Sequence, residues 1–498
     1  MHWSAKLLTL ATILATAGSA APTSDLHCKV AIVGGGVGGL HTAFRLGVSQ
    51  GSDVCLFEKD EQLGGRIHDV SLDEKDPNAP KFGTGARRVM ETQTLLFDLA
   101  KELGITLETP SDGADLINAR GNFSFTKDHL KELAYPTLPA TPVPGKDHET
   151  WLYDTLRSGP ERANAGHYPD FRSYSRAVIG SESYEFLRDV SRFRADFDAP
   201  IDARSYLDYL DEEWDTCCTP SYPIGGMSAF IRGMEAKARA SGVQIFTAEA
   251  VNSINKAGTS YQLDTKLHNV SADKIVITVP PYGMNHIKGD VVERIRRQEQ
   301  YKEIIGIKVV TIAQWWPENW WSELKNPGLD KNNQIWRVWT TESCINFIEI
   351  PLNKYAVDQK VTRSVYDDDP RCVEFWENTA KVSMAKVEEE IHRGLEHIFN
   401  NNGIAVPNHV DIPKPLKTHV QIWPDAWHWL RAGSTFTNKD IAEWALNPLP
   451  GEDVALVGEA YYINRSGWSD AAYKSSIRLL NTKYQMNLPT GVRVPLKN

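Results

Sequence analysis

The sequence predicts an α/β protein with three parts: a Rossmann-like nucleotide-binding unit, an α+β region, and a helical insertion. Three observations predict it. An apolar run at residues 28–33 leads into Gly34-x-Gly36-x-x-Gly39 and then into apolar residues at helical spacing. A polar stretch at about 122–221 carries aromatic residues at irregular helical spacing. Strand-like runs return at 243–246, 274–279 and 454–457.

The totals set bounds. A chain of 498 residues is too long for one simple core and fits two or three domains. Its hydrophobic share of 41% and charged share of 24% suit a globular enzyme. A net charge of −10, with no basic tail, argues against nucleic-acid binding. At the start, Lys6 precedes an apolar stretch (7–17) and small residues (18–21). That pattern predicts a secretory signal peptide over 1–21, with an uncleaved anchor as the alternative. No other run is long and apolar enough for a membrane helix. Secretion permits disulfides among Cys28, Cys55, Cys217, Cys218, Cys344 and Cys372. Cys55 sits in a buried strand and is expected to be a free thiol. Adjacent Cys217 and Cys218 are not expected to pair with each other. Sequons stand at Asn122, Asn269 and Asn464.

Each element follows from its residues. Residues 28–33 read as a buried strand and residues 40–46 as an amphipathic helix broken at Gly51-Ser52-Asp53. Residues 54–57 are a second buried strand, ended by Glu58. The strand at 274–279 stops at Pro280-Pro281. Residues 373–399 read as a helix with a charged, solvated face. Asp367-Asp368-Asp369 read as a solvated turn rather than a cation site. The last strand, 454–457, meets Gly458-Glu459 before a final helix beyond Trp468.

The glycine motif carries the first chemistry. Gly34 allows the tight turn, Gly36 lets backbone approach a pyrophosphate, and Gly39 lets helix and strand pack closely. The helix N-terminus offers free N–H groups to phosphate. Glu58, 19 residues after Gly39, is placed to accept from ribose hydroxyls. Next comes Leu63-Gly64-Gly65-Arg66, in which the guanidinium offers a charge-assisted phosphate contact.

That extension resembles the flavin amine oxidase superfamily, and the resemblance runs over nearly the whole mature chain, closest in type to secreted L-amino-acid oxidases. Pro223-Ile224-Gly225-Gly226-Met227 is similar to the family's glycine pair before a helix, Ala250-Val251 to its adenine-holding strand end, and Gly458-Glu459 with Gly467-Trp468 to its C-terminal flavin motif. The loop between the last two pairs is one residue longer than in the L-amino-acid oxidases, which leaves its path open. The resemblance implies FAD held by Gly34, Gly36, Val37, Gly38, Gly39, Glu58 and Lys59. It adds Gly65, Arg66, Gly85, Ala86, Arg87 and Val251, and at the far end Gly458, Glu459, Gly467 and Trp468. It further implies a discontinuous Rossmann-like FAD-binding domain (28–75, 222–299, 435–498). A substrate-binding domain (76–121, 300–434) and the insertion (122–221) complete the chain.

The resemblance points five positions at the substrate. Gly85-Ala86-Arg87-Arg88-Val89 resembles the stretch whose arginine grips the substrate carboxylate, placing Arg88 there. Neighbours on a strand face opposite sides, so only one of Arg87 and Arg88 reaches the site, and the choice stays open. Lys308, in the strand-like run 307–310, matches a family lysine that binds a water beside the flavin; the alternative is an edge-exposed amine. The resemblance implies that Trp468 forms a cleft wall and Tyr366 a second carboxylate contact, and that Trp427 either runs along the cleft or is a packing aromatic. No serine elbow or metal-ligand spacing appears, so no metal is expected.

What the resemblance implies is oxidation of an L-amino acid to an imino acid, hydrolysis to a 2-oxo acid and ammonia, and reduction of dioxygen to hydrogen peroxide. Partners are then the amino acid (or amine) and O2, with homodimerisation compatible. Two rivals stand: a primary amine or polyamine oxidase, and a secreted flavin-binding protein without turnover.

Overall fold

The computed structural model describes residues 24–490 apart from 77, 110–112, 192, 214–219, 325–334, 351–359, 402–408 and 466. The expected signal peptide and the Cys217-Cys218 pair lie outside the described residues.

Apolar runs build the first sheet. Val30 to Val33 and Val54 to Phe57 are each at most 3% exposed, as strands covered on both faces require. The Ser24–Val33 strand sits centrally, parallel to Val54–Phe57 on one side and His268–Ile277 on the other. Gln244–Phe246 extends the parallel set at one edge, and Val454–Leu456 pairs parallel with His268–Ile277. An antiparallel pair, Ser260–Thr265 and Val251–Ala257, continues the sheet from the first half of His268–Ile277. One sheet therefore draws strands from the start, middle and end of the chain. On one face lies the Val37–Gln50 helix, packed between Ser228–Ala240 and Ser469–Tyr484.

The second sheet runs in the order Lys417–Leu430, Ile304–Trp315, Val361–Asp367, Phe347–Glu349, Ile335–Thr340, Ala114–Ala119, Asn122–Ser124. All its pairs are antiparallel except Ile335–Thr340 with Ala114–Ala119. One face carries Val310 and Ile312 against Val373 and Trp376 of the Pro370–Val382 helix and Ile391 of Met384–Phe399. The other carries Ile307 and Val309 into a core shared with the first sheet and the insertion helices. Those helices run from Lys127–Ala134 to Ala203–Glu213.

Three sequence expectations are corrected. Cys55 is disulfide-bonded to Cys28, not free: the two lie on neighbouring strands with Cα atoms 5.9 Å apart, within disulfide reach. Burial inside a strand does not exclude a partner on the next strand. Cys344 and Cys372 form a second bridge. The single helix expected over 373–399 is two, because Ser383 is extended (φ −173°, ψ 156°) and its hydroxyl accepts from Lys386 N to cap the second helix. The Asp367-Asp368-Asp369 turn is not solvated; all three are at most 5% exposed. Asp369 caps the next helix through Arg371 N, and Asp368 Oδ1 accepts from Arg194 N at 3.0 Å.

Candidate active site

The glycine turn is a backbone cradle. Gly34 has φ +106°, and its N–H donates to Phe57 O at 2.8 Å. A Cβ on Gly39 would lie 2.0 Å from Gly34 O, so only glycine allows this packing. Gly36 differs: the nearest atom to a Cβ there is Gly65 Cα at 3.9 Å. Gly36 bridges Gly64, and Gly64 N donates to Gly35 O at 2.9 Å, so two side-chain-free segments run together. No side chain caps the Val37–Gln50 helix and no acid stands in its first turn. An uncapped helix N-terminus beside open glycine backbone fits a pyrophosphate. The far end of the chain closes on the same turn, since a Cβ on Gly38 would be 2.9 Å from Val457 Cγ1 and 3.7 Å from Gly458 Cα.

Glu58 braces this loop. Its Oε2 accepts from Gly35 N at 2.7 Å and its Oε1 from Asp60 N at 3.0 Å, and burial raises its pKa. Each oxygen retains a lone pair for a ribose hydroxyl. Val251 begins the edge strand just past Glu249, whose N–H donates to Glu58 O. Lys59 is not brought to the turn; its side chain is 70% exposed and paired with Asp60, because it follows the strand outward. Gly225-Gly226 leads into the Ser228–Ala240 helix, whose Ser228 N donates to Asp69 Oδ2 at 3.0 Å.

Arg66 and Glu459 meet. Arg66 Nη1 donates to Glu459 Oε2 at 2.7 Å and to Ala426 O at 2.9 Å, and Ala86 N donates to Arg66 O. A Cβ on Gly85 would lie 1.9 Å from that same carbonyl oxygen, so Gly85-Ala86 abuts the Arg66 backbone. Glu459 Oε1 accepts from Gly467 N at 3.1 Å and His428 N at 3.0 Å. His428 went unnoticed in the sequence. It is fully buried, with Nδ1 2.7 Å from Glu459 Oε2 and Nε2 3.2 Å from Asp425 Oδ2. Burial opposes charge on this ring, yet the two carboxylates outweigh it and its pKa is raised. Burial likewise opposes charge on Glu459, and His428 and Arg66 overcome it, holding that carboxyl down at about 2. The only signal in the sequence was a histidine between Trp427 and Trp429 on an alternating strand.

A cleft opens beside Gly467 and Trp468, with Arg87, Arg88 and Tyr366 in its lining. Arg87 Nη1 donates to Glu349 Oε2 at 2.6 Å; Arg363 Nη1 lies 3.5 Å from that oxygen, and Tyr222 OH donates to Oε1 at 3.0 Å. Burial disfavours the Glu349 charge, but these arginines hold the carboxyl well below its usual range. Arg88 has no hydrogen bond or ion pair among the described residues and lies 5.8 Å from the Trp468 ring. Arg87 thus has a carboxylate partner, and Arg88 has none among the described residues. Burial pushes the Tyr366 phenol up, so it stays protonated, with Phe193 and Phe347 rings beside it. Trp427 is in the wall, and its Nε1 donates to Asp196 Oδ1 at 3.2 Å. Glu349, Arg363 and Asp196 carried no motif and were missed.

Lys308 is not brought to the cleft. Its side chain is 43% exposed and its Nζ lies 2.5 Å from Glu377 Oε1. The reason is strand alternation: Ile307 and Val309 face the shared core, so Lys308 points with Val310 toward the Pro370–Val382 helix. Among the described residues, one group has metal-ligand spacing, Cys344, Asp367 and Cys372, and its two sulfurs form the disulfide.

Comparison with known proteins fits this geometry. The profile of the flavin containing amine oxidoreductases matches residues 37–461. Wild-type putrescine oxidase bound to putrescine is similar in structure, with TM-score 0.66, 15% identity, and 93% of this chain and 100% of that chain covered. A double mutant of putrescine oxidase gives TM-score 0.64 at 15% identity, covering 91% and 98%. No curated protein sequence matches. A profile match over most of the chain, on a glycine cradle joined by both chain ends, places this protein in the flavin-containing amine oxidoreductase family, whose members use a flavin cofactor, FAD here, and dioxygen to oxidise small-molecule amines.

Proposed function

We propose that the protein is a secreted L-amino-acid oxidase, releasing a 2-oxo acid, ammonia and hydrogen peroxide. The observation that carries this reading is Arg88, a cleft guanidinium with no hydrogen bond or ion pair among the described residues, while Arg87 and Arg363 share the Glu349 carboxylate. A planar guanidinium matches a carboxylate bidentately, and the contact is strong in a cleft poor in water. Clamping the carboxylate fixes which face of the α-carbon meets the cofactor. Tyr366, kept protonated and in the same lining, would donate a second hydrogen bond to that carboxylate. Trp468 and Trp427, both in the lining, would flank the substrate. The glycine turn, Glu58 and the Arg66–Glu459 pair would hold the flavin, which would supply the two-electron chemistry and be reoxidised by dioxygen. Hydrolysis of the released imine in water completes the deamination.

Secretion is supported by the two disulfides and the apolar, small-residue N-terminal stretch. Among the described residues no helix is long and apolar enough to cross a membrane. The rival reading, a primary amine or polyamine oxidase, draws on the putrescine oxidase likeness, which at 15% identity speaks for the fold alone. It would set a cationic substrate against Arg88, which has no ion pair among the described residues. A peroxide-release assay across the twenty L-amino acids and their decarboxylated amines tests the choice. Peroxide from amino acids is the expected result, and peroxide from amines alone would overturn the reading.

A further inference from the structure

Asp196 stands in the same cleft as Arg88, and the chemistry above gives it no task. It belongs to the short Ala195–Asp198 helix of the insertion and is 5% exposed. Two indoles converge on one of its oxygens: Trp427 Nε1 donates to Oδ1 at 3.2 Å and Trp429 Nε1 at 3.0 Å. Among the described residues, Oδ2 accepts no hydrogen bond and no cation pairs with the group. Its nearest arginine in sequence, Arg194, donates elsewhere, to Thr340 O at 2.9 Å. Burial raises the Asp196 carboxyl to about 7, against the two indole hydrogen bonds that lower it.

We propose that Asp196 is a distal subsite for the cationic end of the substrate's side chain, so the amino acids oxidised are the basic ones. This rests on the amino-acid reading above. An unpaired buried carboxylate is costly unless a cation arrives to meet it. Trp427 links the two ends: its Cβ lies 3.7 Å from where a Cβ on Gly467 would stand, next to Trp468 over which Arg88 lies, and its indole reaches Asp196. Arg88 and Asp196 thus sit at separate points along one aromatic wall. An amino acid with a terminal ammonium or guanidinium supplies an anion to the first and a cation to the second. A neutral amino acid leaves Asp196 unpaired, and a diamine sets a cation against Arg88. Phe193, Tyr209 and Trp429 in the same lining are aromatic groups that suit an aliphatic stem and its cationic head.

Steady-state peroxide release by the native holoenzyme with L-lysine, L-norleucine and cadaverine tests this. Norleucine is lysine without its terminal amine, and cadaverine is lysine without its carboxylate. We expect kcat/KM for lysine to exceed that for norleucine by about 100-fold, as for a charged group finding a desolvated partner. In Asp196→Asn, whose side-chain oxygen still accepts from both indoles, that preference should collapse to near unity. Norleucine turned over as well as lysine by the native enzyme, or an unchanged ratio in the variant, would overturn the subsite and leave the amino-acid reading standing. Cadaverine oxidised with neither amino acid touched would overturn both. Should the variant not fold, the native ratio decides alone.

Discussion

Replacing Arg88 and Arg87 one at a time separates substrate binding from structure. Arg88 makes no hydrogen bond or ion pair within the described chain, so Arg88→Ala strands no buried group. Its cost falls on the substrate carboxylate. Loss of a charge-assisted, two-pronged contact is worth about 2–3 kcal/mol, roughly 30- to 150-fold in kcat/KM for amino acids. Arg87→Ala acts differently. Glu349 is 4% exposed and, among the described residues, would keep the longer Arg363 contact at 3.5 Å and the Tyr222 hydroxyl. Breaking a buried pair from one side costs about 3–5 kcal/mol of stability. The assays are peroxide kinetics and thermal unfolding, run on both variants at equal flavin content. Arg88→Ala is expected to raise KM strongly with little change in melting temperature, and Arg87→Ala to lower the melting temperature markedly. An unchanged KM in Arg88→Ala, or a melting loss matching that of Arg87→Ala, would refute the assignment.

Further outcomes follow from the same geometry. Gly36→Ala should fold but bind less flavin, since its methyl enters only the open cradle, whereas Gly39→Ala, meeting Gly34 O at 2.0 Å, should lose folded protein; visible absorbance per chain and soluble yield read the two. Glu459, ordinarily near 4.5 and held at about 2, contributes stability present above about 4.5 and lost as pH falls toward 2, on the order of 3 kcal/mol. His428, raised above 6.5, contributes in the opposite sense: fully below about 6.5, lost as pH rises through its folded value. Thermal unfolding against pH should therefore peak between about 4.5 and 6.5, and His428→Ala should flatten the alkaline limb. Opening the Cys344–Cys372 bridge, which closes a 28-residue separation, should cost about 3–4 kcal/mol in denaturant unfolding, against an unchanged midpoint if it carries no constraint.

The cofactor half was legible because its chemistry is local. Gly34, Gly36 and Gly39 are fixed by turn and packing geometry within a few residues, and the place of Glu58 follows from the length of one helix and one strand. The substrate half was harder to read because its contacts span the chain. The place of Arg88 in the cleft lining was readable from a motif, but the carboxylate that distinguishes it from Arg87, Glu349, stands 262 residues from Arg87 on another strand. Asp196 reaches Trp427 and Trp429 across 231 and 233 residues and belongs to no motif. Lys308 shows the limit of matching a run without its facing: strand alternation turns it toward Glu377 and away from the cleft. Cys55 shows the same for burial, which describes a residue's surroundings and not its partner on the adjacent strand.

The most direct measurement is an anaerobic titration of the native holoprotein with L-amino acids, following the visible flavin band and the 2-oxo acid formed. The account expects the band to bleach with an L-amino acid, with one 2-oxo acid per flavin, and to stay unbleached with the decarboxylated amine. Bleaching by the amine alone would contradict it.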